Sequence, residues 1–324
     1  MVGPSPSYVA PALEFWEQAI EPHAAEVRIV LDKINLIVQQ LPYLYDSDPA
    51  GQTRQQTIDD GIGMLRYARR LTPLNADVLR NLGSLADEGG HAELALEAYA
   101  AYLAETHDDS DVPAEVYMRL GRIRARLRDY EHAVHDLRKA LVANVTTGGY
   151  SPFQYSPGHT MVALSSSLAA SGRLADAVDT LRTYLTRIPY YGDESAIQTG
   201  FALAVSYDRD EQRSNAFEML DLLISANQGN YGVAAYNALS RLSFTPAIDQ
   251  HYYFALLYES LDYLAEARTE WSAYARGGGE ALFADRALDH VTAIDQMLSA
   301  RLVKERAAKS AAKRKQLAPR VSVP

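Results

Sequence analysis

The chain has 324 residues and no cysteine, which excludes disulfide bonds and cysteine-ligated metals. It also lacks any run of about eighteen or more apolar residues, the length that a transmembrane helix needs. The first residues, Met1–Phe15, have neither the basic stretch nor the apolar core of a secretory signal. We therefore expect a soluble chain that is cytoplasmic as written. An exported mature chain with an added starting Met is the alternative, so the compartment stays open.

Catalytic motifs are missing as well. The sequence has no G-x-S-x-G element, no phosphate-binding glycine loop and no H-E-x-x-H motif. His132 and His135 lie three residues apart, a spacing compatible with half a metal site. Ala133 and Leu137 mark the buried side of that helix, however, so both histidines are predicted on a solvated face. We expect a non-enzymatic protein with no cofactor, no metal and no small-molecule substrate.

Acidic residues are nearly absent from the carboxyl end. The last 24 residues hold eight basic and one acidic side chain, whereas the preceding 300 hold 23 basic and 40 acidic ones. An acidic body repels nucleic acid and anionic membranes, so only the segment 304–324 can attract them. Folding back onto the acidic body explains this segment equally well. Its low apolar content predicts a disordered tail.

A helical hairpin is the clearest pattern that is present. In Asp77–Thr106, Leu82 and Gly83 lie on the apolar stripe of a first helix, residues 87–90 break it, and Tyr99 lies on the stripe of a second helix. Such a hairpin cannot bury both stripes alone, so it needs neighbours of the same kind.

The chain supplies these neighbours. Leu120 and Gly121 match Leu82 and Gly83, and Leu137 matches Tyr99, all in a register of 38 residues. Clear copies are expected at 76–109, 114–147, 158–191 and 248–281, with a weaker copy at 197–230.

These units resemble the tetratricopeptide repeat (TPR), a helix-turn-helix unit of about 34 residues. The resemblance covers residues 53–281, although Tyr102, Tyr184 and Tyr274 stand where the family has small residues. It implies an all-α fold, a right-handed α-solenoid of TPR-like repeats whose first helices line a concave groove. Capping helices are expected at each end, within residues 1–52 and 282–303, because a solenoid must cover its terminal stripes.

Two insertions interrupt the period. Residues 231–247 are predicted to hold one extra helix, Val233–Leu242. Residues 148–157 form a loop marked by proline and glycine, with Tyr150, Phe153 and Tyr155. These rings either contact a partner or fold onto the nearest helices.

The family geometry, carried onto this chain, predicts which residues line the groove. Arg119, Arg122 and Arg126 share one helix face and can clamp a carboxylate or an acidic peptide, or instead pair with Asp87 and Glu88. This set does not reproduce the two-lysine, two-asparagine clamp of chaperone-binding members. The predicted partner-binding residues are Arg80, Ser84, Met118, Arg119, Arg122, Arg126, His159, Val162, Phe201, Val205, Tyr252 and Leu256, and equivalent positions carry Asp208, Arg209, Asp249 and Glu259.

These features favour an adaptor or scaffold that binds a peptide or a helical segment of a partner protein in the groove. The alternative is a structural subunit of a larger, envelope-associated assembly that stacks on itself or uses its tyrosine-rich loops. A third reading recruits the acidic body to nucleic acid or anionic membrane through the basic tail. The oligomeric state is left open by the sequence.

Overall fold

The computed structural model describes residues 23–47, 51–106, 111–143, 156–188, 192–227 and 229–317. Within these residues the regular structure is helical, with fourteen α-helices and one 3-10 turn, so the expected all-α fold is confirmed. The chain forms two compact units, Met1–Ser156 and Pro157–Pro324. The boundary between them lies at the end of the first predicted insertion.

The described residues of the amino-terminal unit form three helical pairs. The second and third pairs are the hairpins predicted at 76–109 and 114–147. The inner helices, which are the first members of the pairs, contact one another in chain order. The helices are α1 (Ala24–Ser47), α2 (Gln52–Leu71), α3 (Ala76–Glu88), α4 (Ala92–Glu105), α5 (Ala114–Arg126) and α6 (Tyr130–Val142).

Two glycines allow the helices of each hairpin to pack closely. A Cβ atom on Gly83 would lie 2.7 Å from the Tyr99 ring, and one on Gly121 would lie 2.5 Å from Leu137 Cγ. Carbon atoms do not approach this closely without displacement, so only glycine fits. Gly83 and Gly121 occupy the same place in the two hairpins, which confirms the predicted register.

The carboxyl-terminal unit contains the remaining three hairpins, one inserted helix and a long terminal helix. Helix α11, predicted at Val233–Leu242, packs against both α9 and α12. The helices are α7 (Pro157–Ala170), α8 (Leu174–Leu185), α9 (Glu194–Arg209), α10 (Arg213–Ala226), α11 (Tyr231–Ser240), α12 (Asp249–Ser260), α13 (Leu264–Ala275) and α14 (Ala284–Leu317).

The sequence predicts a helix break at residues 42–51 and a disordered tail at 304–324, and both helix ends differ from this prediction. Helix α1 continues past Pro42 to Ser47, and Leu41 and Leu44 pack against the core of the unit, which favours its continuation. Helix α14 continues to Leu317, so the expectation of disorder is wrong for residues 304–317. Alanine, lysine and arginine dominate this stretch and are strong helix formers, which explains the extension. Residues 1–22 of the expected amino-terminal cap and the loop with Tyr150, Phe153 and Tyr155 lie outside the described residues.

Within the described residues, no helix has both the length and the apolar character that crossing a bilayer requires.

Candidate functional site

The three arginines of α5 lie beside an acidic side chain of α3. Asp87, whose side chain is 4% exposed, accepts a hydrogen bond from Arg119 Nη1 at 2.8 Å and another from Arg126 Nη2. Arg119 Nε also donates to Glu115 Oε1 at 3.0 Å. Two of the three arginines therefore pair as the alternative interpretation expected. Burial alone would raise the pKa of Asp87, but the adjacent guanidinium groups hold it below its ordinary value.

Arg122 is the member of this set with a buried donor that lacks an acceptor. Its Nε is buried and has no hydrogen-bond partner among the described residues. Burial lowers the pKa of Arg122, and the like charges of Arg119 and Arg126 lower it further, against the opposing effect of Asp87. Glu88 pairs with Arg54 instead. The cluster thus holds a partly buried cation whose charge is incompletely compensated.

Two further predicted residues of this unit are partly exposed. Arg80 Nη2 lies 3.2 Å from Asp77 Oδ1, and Ser84 Oγ lies 3.0 Å from Tyr99 OH. Met118 is only 3% exposed and belongs to the hydrophobic core, because its side of α5 packs inward. It is therefore not part of an open surface.

The corresponding positions of the carboxyl-terminal unit are covered. His159 is partly exposed, but Val162, Phe201, Val205, Tyr252 and Leu256 are buried. The expectation that these five side chains line an open groove is wrong for this structure. The inserted helix α11 is one reason, since the Tyr231 ring stacks on Phe201 with centroids 6.2 Å apart, and Gln198 Nε2 donates to Ala238 O at 2.9 Å.

A buried polar network fills this covered face. Asp208, at the end of α9, accepts hydrogen bonds from Tyr252 OH at 2.6 Å, from Arg286 Nη2 at 2.6 Å and from His290 Nε2 at 3.0 Å. Arg286 and His290 come from the capping helix α14, which lies about eighty residues further along the chain. Burial would raise the pKa of Asp208, but these partners lower it well below its usual range.

The network continues through Glu259 on α12. Its Oε2 lies 2.8 Å from His290 Nδ1 and accepts from Trp271 Nε1 at 3.0 Å, while Oε1 accepts from Arg213 Nη2 at 3.0 Å. The Trp271 and His290 rings are stacked with centroids 4.2 Å apart. His290 therefore bridges two carboxylates, an arrangement suited to the imidazolium form.

A second buried ion pair joins α9 to α12. Arg209 Nη2 donates to Asp249 Oδ1 at 2.6 Å, and Ser166 Oγ on α7 donates to Asp249 Oδ2 at 3.1 Å. The Arg209 guanidinium also lies 4.7 Å from the Tyr252 ring centroid and 4.8 Å from that of Phe283. Asp208, Arg209, Asp249 and Glu259, which the sequence predicts in the groove, therefore form hydrogen bonds within the unit instead.

Asp87, Asp208 and Glu259 occupy the same position at the ends of their inner helices because the hairpins share one type of turn. In each of the five hairpins the inner helix ends in the same pair of backbone hydrogen bonds, for example Gly90 N to Asp87 O at 3.1 Å and His91 N to Ala86 O at 2.8 Å. This is the Schellman motif, in which one residue adopts a positive φ. Asp87, Asp208 and Glu259 each stand three residues before that residue. In the five hairpin turns, the residues with positive φ are Gly90, Arg128, Gly172, Glu211 and Asp262.

The five hairpins share one type of turn and carry the repeat pattern of the sequence. They also pack in chain order within each unit, and these features together decide the class of fold. The chain has a TPR-like fold of helical repeats. No protein-family profile and no curated protein matches it.

Several solved structures are similar to this chain at low identity. MamA is 16% identical over 55% of this chain and 93% of its own, with a TM-score of 0.43. YrrB, described as a TPR protein with an unusual peptide-binding site, is 17% identical over 63% of this chain and 90% of its own, with a TM-score of 0.41. The P58(IPK) TPR domain is 13% identical over 92% and 71%, with a TM-score of 0.29. The fold assignment rests on the hairpins of the chain itself.

The stability of the TPR-like protein is expected to depend on pH through His290. Burial alone would lower the pKa of His290, but hydrogen bonds to Asp208 and Glu259 raise it above its ordinary value. A raised pKa in the folded state stabilises the fold fully below the unfolded value of about 6.5, and this contribution is lost as pH rises through the folded value. Urea unfolding between about pH 6 and pH 9 should therefore show a free energy of unfolding that decreases with pH.

Trp271 fluorescence reports this unfolding, because the ring stacks directly on His290. A Trp16→Phe background removes the other tryptophan of the chain. His290→Gln keeps polar atoms at the site but cannot titrate, so it should flatten the decrease. The same decrease in the variant and in the parent would contradict the role of His290.

The histidines considered as a half metal site are both exposed, which confirms their predicted solvated face. His132 Nδ1 lies 2.8 Å from Asp129 Oδ1 in the same helical turn.

Sequence reasoning missed Arg286 and His290 because it treated α14 only as a cap. The available signal was a polar side chain at position 290 within a stripe of apolar residues that includes Ala287 and Ile294.

Proposed function

We propose that this protein is a protein-interaction scaffold whose amino-terminal unit binds an acidic segment or a terminal carboxylate of a partner protein at Arg122. The observation that carries the proposal is the buried Nε of Arg122, which has no acceptor among the described residues and lies between two other arginines. Arg126 lies one turn beyond Arg122 on α5 and is partly exposed, whereas Arg80, on α3, is paired with Asp77.

A carboxylate is the ligand that best completes this arrangement. Asp87 and Glu115 accept the hydrogen bonds of Arg119 and Arg126, so the charge of Arg122 is only partly compensated. A planar guanidinium can bind a carboxylate through two parallel hydrogen bonds. A hydrogen bond to a charged group contributes about 1.5–3 kcal/mol, so an acidic ligand gains selectivity over a neutral one of the same shape.

The carboxyl-terminal unit has a structural role in this proposal. Its inner positions are buried and already bonded to one another through Asp208, Glu259 and Asp249. A bound segment would have to displace these buried ion pairs. Removing one member of a buried ion pair costs about 3–5 kcal/mol of folding free energy. We therefore assign partner binding to the inner helices α3 and α5.

The test is an equilibrium titration by fluorescence anisotropy. A labelled glutamate-rich peptide should bind the full chain more tightly than a matched glutamine-rich peptide. Arg122→Gln should weaken binding of the acidic peptide about tenfold, because it removes one charge-assisted contact. Arg138→Gln, an exposed arginine on α6, is the matched control and should leave the affinity unchanged.

Equal affinity for the glutamate-rich and glutamine-rich peptides would contradict the proposal. So would an equal effect of the Arg122 and Arg138 substitutions, since that result would reflect net charge rather than a site.

A structural-subunit function is favoured by a different observation, the exposed face of α14. This face is independent of Arg122.

A further inference from the structure

Helix α14 has a buried face and an exposed face. Ala287, His290 and Ile294 are buried, and the helix packs against α13. The opposite face is exposed from Asp285 to Ser310, and residues 301–310 are exposed on every side. Thirty-four residues give a helix about 50 Å long. Arg301 at the start of its second half donates to Asp262, and residues 302–310 beyond it are exposed on every side.

The exposed face is divided by charge and contains apolar side chains between the charged ends. Asp285 and Asp289 lie at its beginning, and Arg306 and Lys309 lie at its end. Leu288, Leu302 and Val303 lie on this face and are 51%, 54% and 66% exposed. The positions on this face follow one another in steps of three and four, the spacing of residues that meet in a coiled coil: 285, 288, 292, 295, 299, 302, 306 and 309. Two of them, Leu288 and Leu302, are apolar, and Asp295 is paired with Arg268 of α13.

We propose that a second copy of this chain binds this face, with the two α14 helices antiparallel about a twofold axis near residues 296–299. In this arrangement Asp285 and Asp289 of one copy lie along Arg306 and Lys309 of the other, and the symmetry forms each contact twice. Leu288, Leu302 and Val303 are covered in the same step. The basic half of each helix can reach the acidic half of the other because residues 302–310 are exposed on every side.

The charges specify this partner and this orientation. A parallel pair would place like charges side by side, whereas an antiparallel pair matches opposite charges at both ends. An anionic vesicle or a nucleic acid would be attracted by Arg306 and Lys309 but repelled by Asp285 and Asp289 on the same face. Only a partner with the reverse order of charges suits the whole face, and a second copy has that order.

Sedimentation velocity of the full chain tests the proposal with two charge-reversed variants. The wild type should form dimers that dissociate as salt is raised, because exposed charges are screened. The variant D285K/D289K and the variant R306E/K309E should each weaken self-association at least about tenfold, since every ion pair becomes a repulsion. A one-to-one mixture of the two variants should restore dimers, because each reversed end then meets its complement.

Unchanged circular dichroism of each variant shows that the fold is retained, and restoration in the mixture cannot arise from misfolded chains. A wild type that stays monomeric at low salt would overturn the proposal. Variants that dimerise as well as the wild type would also overturn it. Binding of the monomeric wild type to phosphatidylserine vesicles or duplex DNA, lost in R306E/K309E, would assign the face to that other partner and reject the second copy.

Discussion

Replacing Asp208 with alanine is expected to lower the free energy of unfolding by about 3–5 kcal/mol, because the change leaves buried charges without their partner. The Asp208 side chain is fully buried and is the shared acceptor for Arg286, His290 and Tyr252. Removing it strands an arginine and an imidazolium in a site from which water is excluded. Urea unfolding followed by Trp271 fluorescence measures the effect where it arises, since Trp271 stacks on His290.

Asp210→Ala is the matched control for this prediction. Asp210 lies two residues away and is exposed, so its loss should change the free energy of unfolding by no more than about 0.5 kcal/mol. Equal effects of the two substitutions would mean that Asp208 does not hold the three helices α9, α12 and α14 together.

Gly121→Ala is expected to cost about 1–3 kcal/mol of stability, although alanine is a better helix former than glycine. The added Cβ would lie 2.5 Å from Leu137 Cγ and 3.1 Å from Ala133 O, so α5 and α6 would have to separate. Chemical denaturation of the full chain measures this loss. The effect tests the close helix contact that defines the hairpin.

Gly63→Ala is the control with the opposite expected sign. Gly63 lies within α2, is exposed, and a Cβ there would have nothing within 4 Å. The substitution should stabilise the protein by about 0.5–1 kcal/mol through helix propensity alone. Stabilisation by both alanines would contradict the packing of Gly121 against Leu137.

The hairpins could be predicted from the sequence because their signals are local. Leu82, Gly83 and Tyr99 recur as Leu120, Gly121 and Leu137, and each hairpin closes with the same turn. Both kinds of information lie within one repeat. Even the inserted helix was predicted, at Val233–Leu242 against the observed Tyr231–Ser240, because its apolar spacing is local as well.

The state of the inner face could not be predicted in the same way. The exposure of Phe201 and Tyr252 depends on contacts with α11 and α14. Tyr231 of α11 stacks on Phe201 from 30 residues along the chain, and Arg286 of α14 bonds to Asp208, the acceptor of Tyr252, from about 80 residues along the chain. Periodicity carries no information on such distant contacts. For Arg119, Arg122 and Arg126 the sequence left two readings open, and the structure pairs two of them with Asp87 while Arg122 keeps a buried donor without an acceptor.

The central claim is that the amino-terminal unit binds the partner while the carboxyl-terminal unit has a structural role. Photo-crosslinking tests this claim most directly. A glutamate-rich peptide carrying a benzophenone group is bound to the full chain, irradiated, and the attached residues are identified by mass spectrometry. We expect attachment to α3 and α5, near Arg80, Arg122 and Arg126, and much less attachment after Arg122→Gln. Attachment mainly to α9 and α12, or a pattern that Arg122→Gln leaves unchanged, would contradict the claim.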